Sequence, residues 1–275
     1  MPKRRRVCFG NNKGGTGKTF VTTQLAAVMS ARERRVLVID MDPQANATRR
    51  LGFNSDPNNP LPTIAEALRQ ASPGLAADVI VPCGWDHEVA KRIDLIPSSY
   101  YLENRISEAG VIGAMQRLDV VLDGVDDEYD LVLIDCPPSL GHLTQMSLAA
   151  SDHALVVTKP EYDDVQGALR YYSFVRDNAA IGLGNPHLRL RGVIVDNYDQ
   201  RIAGHKFQLD GLPESFADVP IWDPPIPAWA VAKDATDAAA PLQAYGGAAR
   251  PRELLEKMNK LAEKLDELTQ EEKAA

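Results

Sequence analysis

Between residues 10 and 19 the chain reads Gly-Asn-Asn-Lys-Gly-Gly-Thr-Gly-Lys-Thr, and no other stretch gathers as many groups able to do chemistry. Gly14, Gly15 and Gly17 leave the backbone without Cβ atoms, so successive N–H groups can turn toward one anion. A helix starting near Lys18 adds the positive end of its dipole at the same point. The Lys18 ammonium could then reach the outer phosphates of a polyphosphate. The Thr19 hydroxyl could ligate Mg²⁺, an ion that otherwise keeps waters and phosphate oxygens. A glycine-rich turn that only caps a helix is the plainer alternative, but Gly-Lys-Thr in phase behind a buried strand argues against it. Lys13 is a second cation in the same short loop. Two ammonium groups so close repel each other unless a highly charged anion lies between them, or unless Lys13 serves an anion held by a facing subunit.

Two other segments supply carboxylates. In Asp40-Met41-Asp42-Pro43-Gln44 the residue before proline is pushed toward extended conformations. Asp40 and Asp42, two positions apart, then point the same way. Beside a triphosphate this pair needs a magnesium ion or an ordered water between the charges; the alternative is that Asp42 merely caps the following turn. Leu131-Val-Leu-Ile-Asp135 is an apolar run ending in an acid and stopped by Pro137 and Pro138, as expected of a strand whose last carboxylate, Asp135, holds Mg²⁺ directly or through water. Cys136 adjoins it, but the three cysteines lack the paired spacing of a cluster site and read as reduced thiols.

These groups need a frame. Short β-branched runs at 6–9, 36–40, 131–135, 154–158 and 192–196 alternate with longer stretches of helical spacing, among them 163–178 and 111–122. Near-continuous apolar strands are buried on both faces, which belongs to a parallel sheet covered by helices. The expected fold is α/β: a single doubly wound, mostly parallel sheet with helices on both faces and ligands at the carboxyl edge of the strands. Proline and glycine cluster at 53–62 and 211–227, which read as loops. Leu254, Met258, Leu261, Leu265 and Leu268 form one stripe on a final helix over 250–269. That stripe packs on its own domain, on a partner helix or on a membrane; the mixed charge and lack of aromatics over 252–273 speak against anionic lipid.

The 275 residues carry 30 Lys+Arg against 38 Asp+Glu, a net charge of −8, which excludes a general basic coat but not a local basic patch. No run approaches the ~20 apolar residues of a membrane span, and the basic start at 1–5 lacks the apolar core of a secretory signal. The expectation is one domain over 1–275 in the cytoplasm, with no separate DNA-binding domain before residue 6.

The stretch Lys13-Gly-Gly-Thr-Gly-Lys-Thr19 resembles the deviant Walker A box of the ParA/MinD class of phosphate-loop ATPases. The resemblance implies ATP and Mg²⁺ as ligands, with Gly14, Gly15, Thr16, Gly17, Lys18, Thr19 and Phe20 around the phosphates. It also implies a homodimer with ATP sandwiched, in which Lys13 crosses to the partner's phosphates. Phe20 departs from a common hydroxyl residue, and Asn12 from the glycine of the general pattern. Asp42 matches the acid that positions the attacking water, and Asp40 the outer magnesium shell beside Thr19 and Asp135. Asn197 and Pro227 fall where relatives bracket the adenine. The resemblance further implies ATP-dependent, non-specific DNA binding in plasmid or chromosome partition, association with the nucleoid, and stimulation by a ParB-type centromere-binding protein. The candidate phosphate contacts are Arg201, Lys206, Lys233, Arg250 and Arg252, with Lys3–Arg6 either a phosphate-binding arm or a soluble tail. Relatives carry arginines just after the Ile226-Pro227 pair, where this chain has the apolar residues 228–232. Rival readings are a MinD-like membrane ATPase, which wants a basic amphipathic C-terminal helix, a small-molecule ATP-dependent enzyme on the same scaffold, and a tyrosine kinase relative, which wants a tyrosine-rich tail absent after Tyr245.

Overall fold

A computed structural model describes residues 5–54 and 61–271. The apolar runs become strands: β1 (Arg6–Gly10), β2 (Val36–Asp40), β3 (Val81–Pro82), β4 (Ile93–Ile96), β5 (Leu131–Asp135), β6 (His153–Thr158) and β7 (Arg189–Val195). Among the described residues these form one sheet in the order β3-β4-β2-β5-β1-β6-β7. Every pair is parallel except the short antiparallel edge of β3 on β4. Helices α1 (Lys18–Ala31), α2 (Asn46–Arg50), α3 (Ile64–Gln70), α4 (Arg117–Val121), α5 (His142–Ala149), α6 (Tyr162–Asn178), α7 (Ala203–Ser215), α8 (Ala230–Asp237) and α9 (Ala249–Glu271) cover both faces.

Alternation along the strands makes the two-layer cover possible. Cys8, Leu37, Ile39, Val132, Ile134 and Val156 face one side with Leu68, Leu118, Leu143 and Tyr171. Val7, Phe9, Val36, Val38, Leu133 and Val157 face the other with Leu25, Met29, Met258 and Leu261. The stripe on α9 is therefore core: Leu254, Met258, Leu261 and Leu265 are fully buried against the layer that contains α1. Each such side chain removes apolar surface worth about 1.5–3 kcal/mol from water. Of the three covers open to that stripe, the one realised is its own domain.

Several boundaries differ from the sequence expectation. Only Arg117–Val121 of the span 111–122 is α-helical, because Gly113 takes φ 79° and turns the chain before the helix can begin. The supposed loop at 211–227 starts inside α7, which runs to Ser215 and contains Pro213. Of the loop at 53–62, positions 55–60 lie outside the described residues, as do positions 1–4 of the basic start. Arg6 is no arm: it is 1% exposed, its Nε donates to Asp126 Oδ2 at 2.5 Å, and Nη1 donates to Asp119 Oδ1 at 2.6 Å.

Candidate functional site

The parallel register brings the carboxyl ends of β1, β2, β5 and β7 to one edge, where they open into a cavity of ≈ 490 Å³. Gly14, Gly15, Thr16, Gly17, Lys18, Thr19 and Phe20 all line it, as the sequence led us to expect. Gly15 and Gly17 take φ 78° and 94°, the left-handed region that a Cβ would strain. At Gly17 there is also no room, because a Cβ would lie 2.0 Å from Asp196 Oδ2. This loop leads into α1 with no side-chain cap on the helix N-terminus, so its orphan N–H groups remain available to a ligand.

The charged groups are arranged around that loop. Lys18 is buried, and its Nζ donates to the Lys13 carbonyl oxygen at 3.1 Å. Burial pulls its pKa down, against the opposing charges of Asp135 and Asp42. The Thr19 hydroxyl donates to Asp135 Oδ2 at 2.7 Å, and Asp135 Oδ1 is buried without a hydrogen-bond partner. Burial raises the Asp135 pKa to about 6. Asp40, its register neighbour on β2, is pushed to about 7 by burial and then by Asp135. Asp40 also organises the loop that follows it, accepting from the amide of Asp42 at 3.0 Å and from both the amide and hydroxyl of Thr48 at 2.8 Å. Asp42 lines the cavity while its Oδ1 accepts from the Gln44 amide at 3.0 Å, so the turn-capping role and the cavity-facing position coexist.

This donor set fits a polyphosphate with a hard divalent cation. The hydroxyl of Thr19 and the orphaned oxygen of Asp135 are oxygen ligands of the kind Mg²⁺ takes when waters and phosphate oxygens complete its shell. The uncapped helix end, the glycine cradle and the buried ammonium of Lys18 complement the anion.

Asn197 and Pro227 line the same cavity. A one-residue parallel bridge pairs Tyr198 with Pro227, and Asn197 sits in the left-handed region at φ 59°. Among the lining residues that sequence reasoning missed are Asp196, Trp229, Lys159 and Arg50. Asp196 closes the strand run of β7 as Asp135 closes β5, a signal that was available. Trp229, two residues after Pro227, was the aromatic clue in an otherwise apolar stretch. Arg50 is a cation in the last turn of α2, and nothing local in the sequence marks it.

The basic candidates do not form one cluster. Arg201 and Arg250 line a second groove of ≈ 430 Å³ with Lys257 and Tyr198. Arg201 is already held by Asp199, its Nη2 donating at 2.6 Å. Lys233 instead lines the phosphate cavity, and Lys206 and Arg252 are exposed but line neither opening. Lys13 is 39% exposed, with its ammonium 3.8 Å from Asp163 at the start of α6.

Comparison with known proteins agrees with this geometry. The AAA domain family matches residues 4–185. The chromosome partitioning protein ParA of Myxococcus xanthus is 36% identical over 200 residues, covering 72% of this chain and 66% of that protein, just under two thirds of its length. The chromosome-partitioning ATPase Soj of Thermus thermophilus is 35% identical over 199 residues, 72% of each chain. Among solved structures, cobyrinic acid a,c-diamide synthase of Mycobacterium smegmatis with bound ADP and magnesium superposes with a TM-score of 0.73 at 28% identity, covering 86% of this chain and 93% of that one. With the glycine loop, its buried lysine and the two strand-end acids set out as above, the chain belongs to the ParA family of phosphate-loop ATPases.

Proposed function

We propose that the chain is a partition ATPase whose Mg-ATP-bound homodimer holds DNA without sequence preference and releases it on hydrolysis. The observation that carries this reading is the Thr19–Asp135 hydrogen bond with its orphaned carboxylate oxygen at the mouth of the glycine loop. Bound there, Mg²⁺ would offset charge on the β- and γ-phosphates. Lys18 and the loop amides hold the phosphate chain, Thr19 and Asp135 hold the metal, and Asp40 sets the loop that carries Asp42. Asp42 orients the attacking water. Asn197, Pro227 and Trp229 enclose the adenine.

Lys13 supplies the coupling between nucleotide and pairing. Its side chain is 39% exposed and its ion pair with Asp163 is loose, so it can leave for the phosphates of a facing subunit. The paired state then presents basic side chains from both copies, Arg201, Lys206, Arg250 and Arg252 among them, to the nucleoid in the cytoplasm. A ParB-type centromere-binding partner accelerates hydrolysis and ends the cycle. Contacts of this kind to phosphates weaken steeply with salt.

The test is co-sedimentation with DNA in ATP or ADP for wild type, Lys13→Ala and Lys18→Ala. The expected result is salt-sensitive, ATP-dependent binding that both variants lose, with Lys13→Ala keeping nucleotide affinity as a monomer. Equal binding in all three proteins without ATP would overturn the reading. The likeness to cobyrinic acid a,c-diamide synthase supports a second reading, an enzyme acting on a small molecule beside the nucleotide. Rapid ATP turnover that needs neither DNA nor a protein partner would favour it. A membrane-associated role finds less support, because the apolar face of α9 is occupied by its own domain; vesicle sedimentation with ATP tests that directly.

A further inference from the structure

We infer that Arg50 is a nucleotide-binding residue, a guanidinium supplied in cis from α2 that grips the phosphate chain held by the glycine loop. This deepens the proposed function and rests on the cavity being an ATP site.

Arg50 lines the cavity alongside Thr19, Phe20 and Asp42. Its own backbone is fixed, because the Trp85 indole Nε1 donates to the Arg50 carbonyl oxygen at 2.6 Å, so the side chain departs from an anchored point. The Arg50 Nε is closed to solvent and has no hydrogen-bond partner. Among the described residues, no carboxylate forms an ion pair with it. An arginine cannot shed its proton to escape this cost, and a stripped, unpaired donor on a charged group is expensive. The acids around it, Asp135 and Asp196, act on it only through longer-range attraction, while burial works against its charge.

A phosphate chain in the cavity removes that cost. Guanidinium is planar and offers paired donors that match two phosphate oxygens at once, which an ammonium cannot do. The chemistry of the glycine loop leaves a place for it. Phe20, in the first turn of α1, lines the cavity without any side-chain donor, so that side offers the phosphates the hydroxyls of Thr16 and Thr19, the Lys18 ammonium and backbone N–H groups, but no group with paired, fixed donors. Arg50 supplies that group from α2.

The experiment measures Mg-ATP affinity by calorimetry and the ATPase KM and kcat for the full chain, as wild type, Arg50→Gln, Arg50→Lys and Lys18→Ala. Arg50→Gln should weaken ATP binding and raise KM at least 10-fold with kcat within about threefold, because binding lost equally from ground and transition states appears in KM. Arg50→Lys should restore part of that affinity, which a purely structural side chain would not require. The melting temperature without nucleotide should stay at or above that of wild type, since a half-buried guanidinium with an unpaired, solvent-closed Nε has been removed. ATP affinity of Arg50→Gln within twofold of wild type would overturn the assignment. So would equal losses in Arg50→Gln and Arg50→Lys together with a lowered melting temperature. If wild type binds ATP, Lys18→Ala loses that binding as the functional reading expects, and Arg50→Gln matches wild type, only this inference fails; if wild type binds no ATP, both fail.

Discussion

The Thr19 hydroxyl donates to one oxygen of Asp135 at 2.7 Å while the other oxygen of the same carboxylate is buried with no partner. One residue lies in the first turn of α1 and the other closes β5, so a single hydrogen bond ties the start of the helix behind the glycine loop to the adjacent strand end. The arrangement predicts that Thr19→Ala lowers the Mg²⁺ affinity of the ATP complex on the order of 10- to 100-fold, the range seen when a metal site loses a ligand-orienting partner. Thr19→Ser should stay close to wild type. Titrating Mg²⁺ against a fluorescent ATP analogue reads the difference, and unchanged Mg²⁺ dependence in Thr19→Ala would remove the hydroxyl from the metal site.

Gly17 and Asp196 yield a second prediction with two separable parts. A methyl at position 17 meets Asp196 Oδ2 at 2.0 Å, and the backbone there stands at φ 94°. Gly17→Ala should therefore lose nucleotide binding and stability together. Adding Asp196→Ala removes the collision but not the conformational penalty of about 1–2 kcal/mol for a side chain in the left-handed region. The double variant should recover part of the stability lost by Gly17→Ala alone, as seen by urea denaturation. No recovery would mean that the strain is all backbone.

Lys13 yields a third. Its ion pair with Asp163 is long and solvent-exposed, worth at most ~1 kcal/mol. If Lys13 must leave Asp163 to reach a facing subunit, Asp163→Asn should tighten ATP-dependent pairing by a factor of up to about 5, since nothing then holds the lysine back. Sedimentation velocity across a concentration series in ATP measures this. Weaker pairing in Asp163→Asn would show that the carboxylate assists the crossing.

The sequence was most legible where one residue type alone can do a job. Only glycine tolerates the geometry at Gly17, and only a carboxylate at the end of an apolar strand could be Asp135, so both were found from type and spacing. Asn197 and Pro227 needed the resemblance, because their meeting depends on a one-residue bridge at Tyr198 that leaves no local pattern. Arg50 could not be read at all. Its position at the cavity depends on how α2 packs on α1 and on the anchoring of its backbone by Trp85, thirty-five residues away. The strands β3 and β4 were missed because 81–82 is too short to show a period and 93–96 carries Asp94 within the run. Arg6 illustrates the opposite error: a cluster of basic residues at a chain start suggests an arm, yet Asp119 and Asp126, more than a hundred residues on, draw one of them into the interior.

The last prediction concerns acid. His153 opens β6 at 1% exposure, and its Nδ1 accepts from Arg191 Nε at 3.3 Å. Burial, and then the charges of Arg191 and Arg189, pull its pKa down to about 4 from the ordinary 6.5. The unfolded chain therefore takes up this proton first. The stability tied to the neutral ring is present above pH 6.5 and is lost as pH falls toward 4, amounting to about 3 kcal/mol at one pKa unit per 1.36 kcal/mol. Asp40 and Asp196, whose pKa values are raised to about 7 and about 6 by burial, act in the opposite sense over that range. The wild-type curve alone thus mixes both effects. His153→Gln keeps an acceptor for Arg191 but cannot titrate, so the difference between the two proteins isolates the histidine. In urea denaturation from pH 7 to pH 4, wild type should lose up to about 3 kcal/mol relative to His153→Gln. Parallel curves would mean that His153 takes its proton in the folded state as readily as in the unfolded one, and that the neighbouring arginines do not hold it neutral.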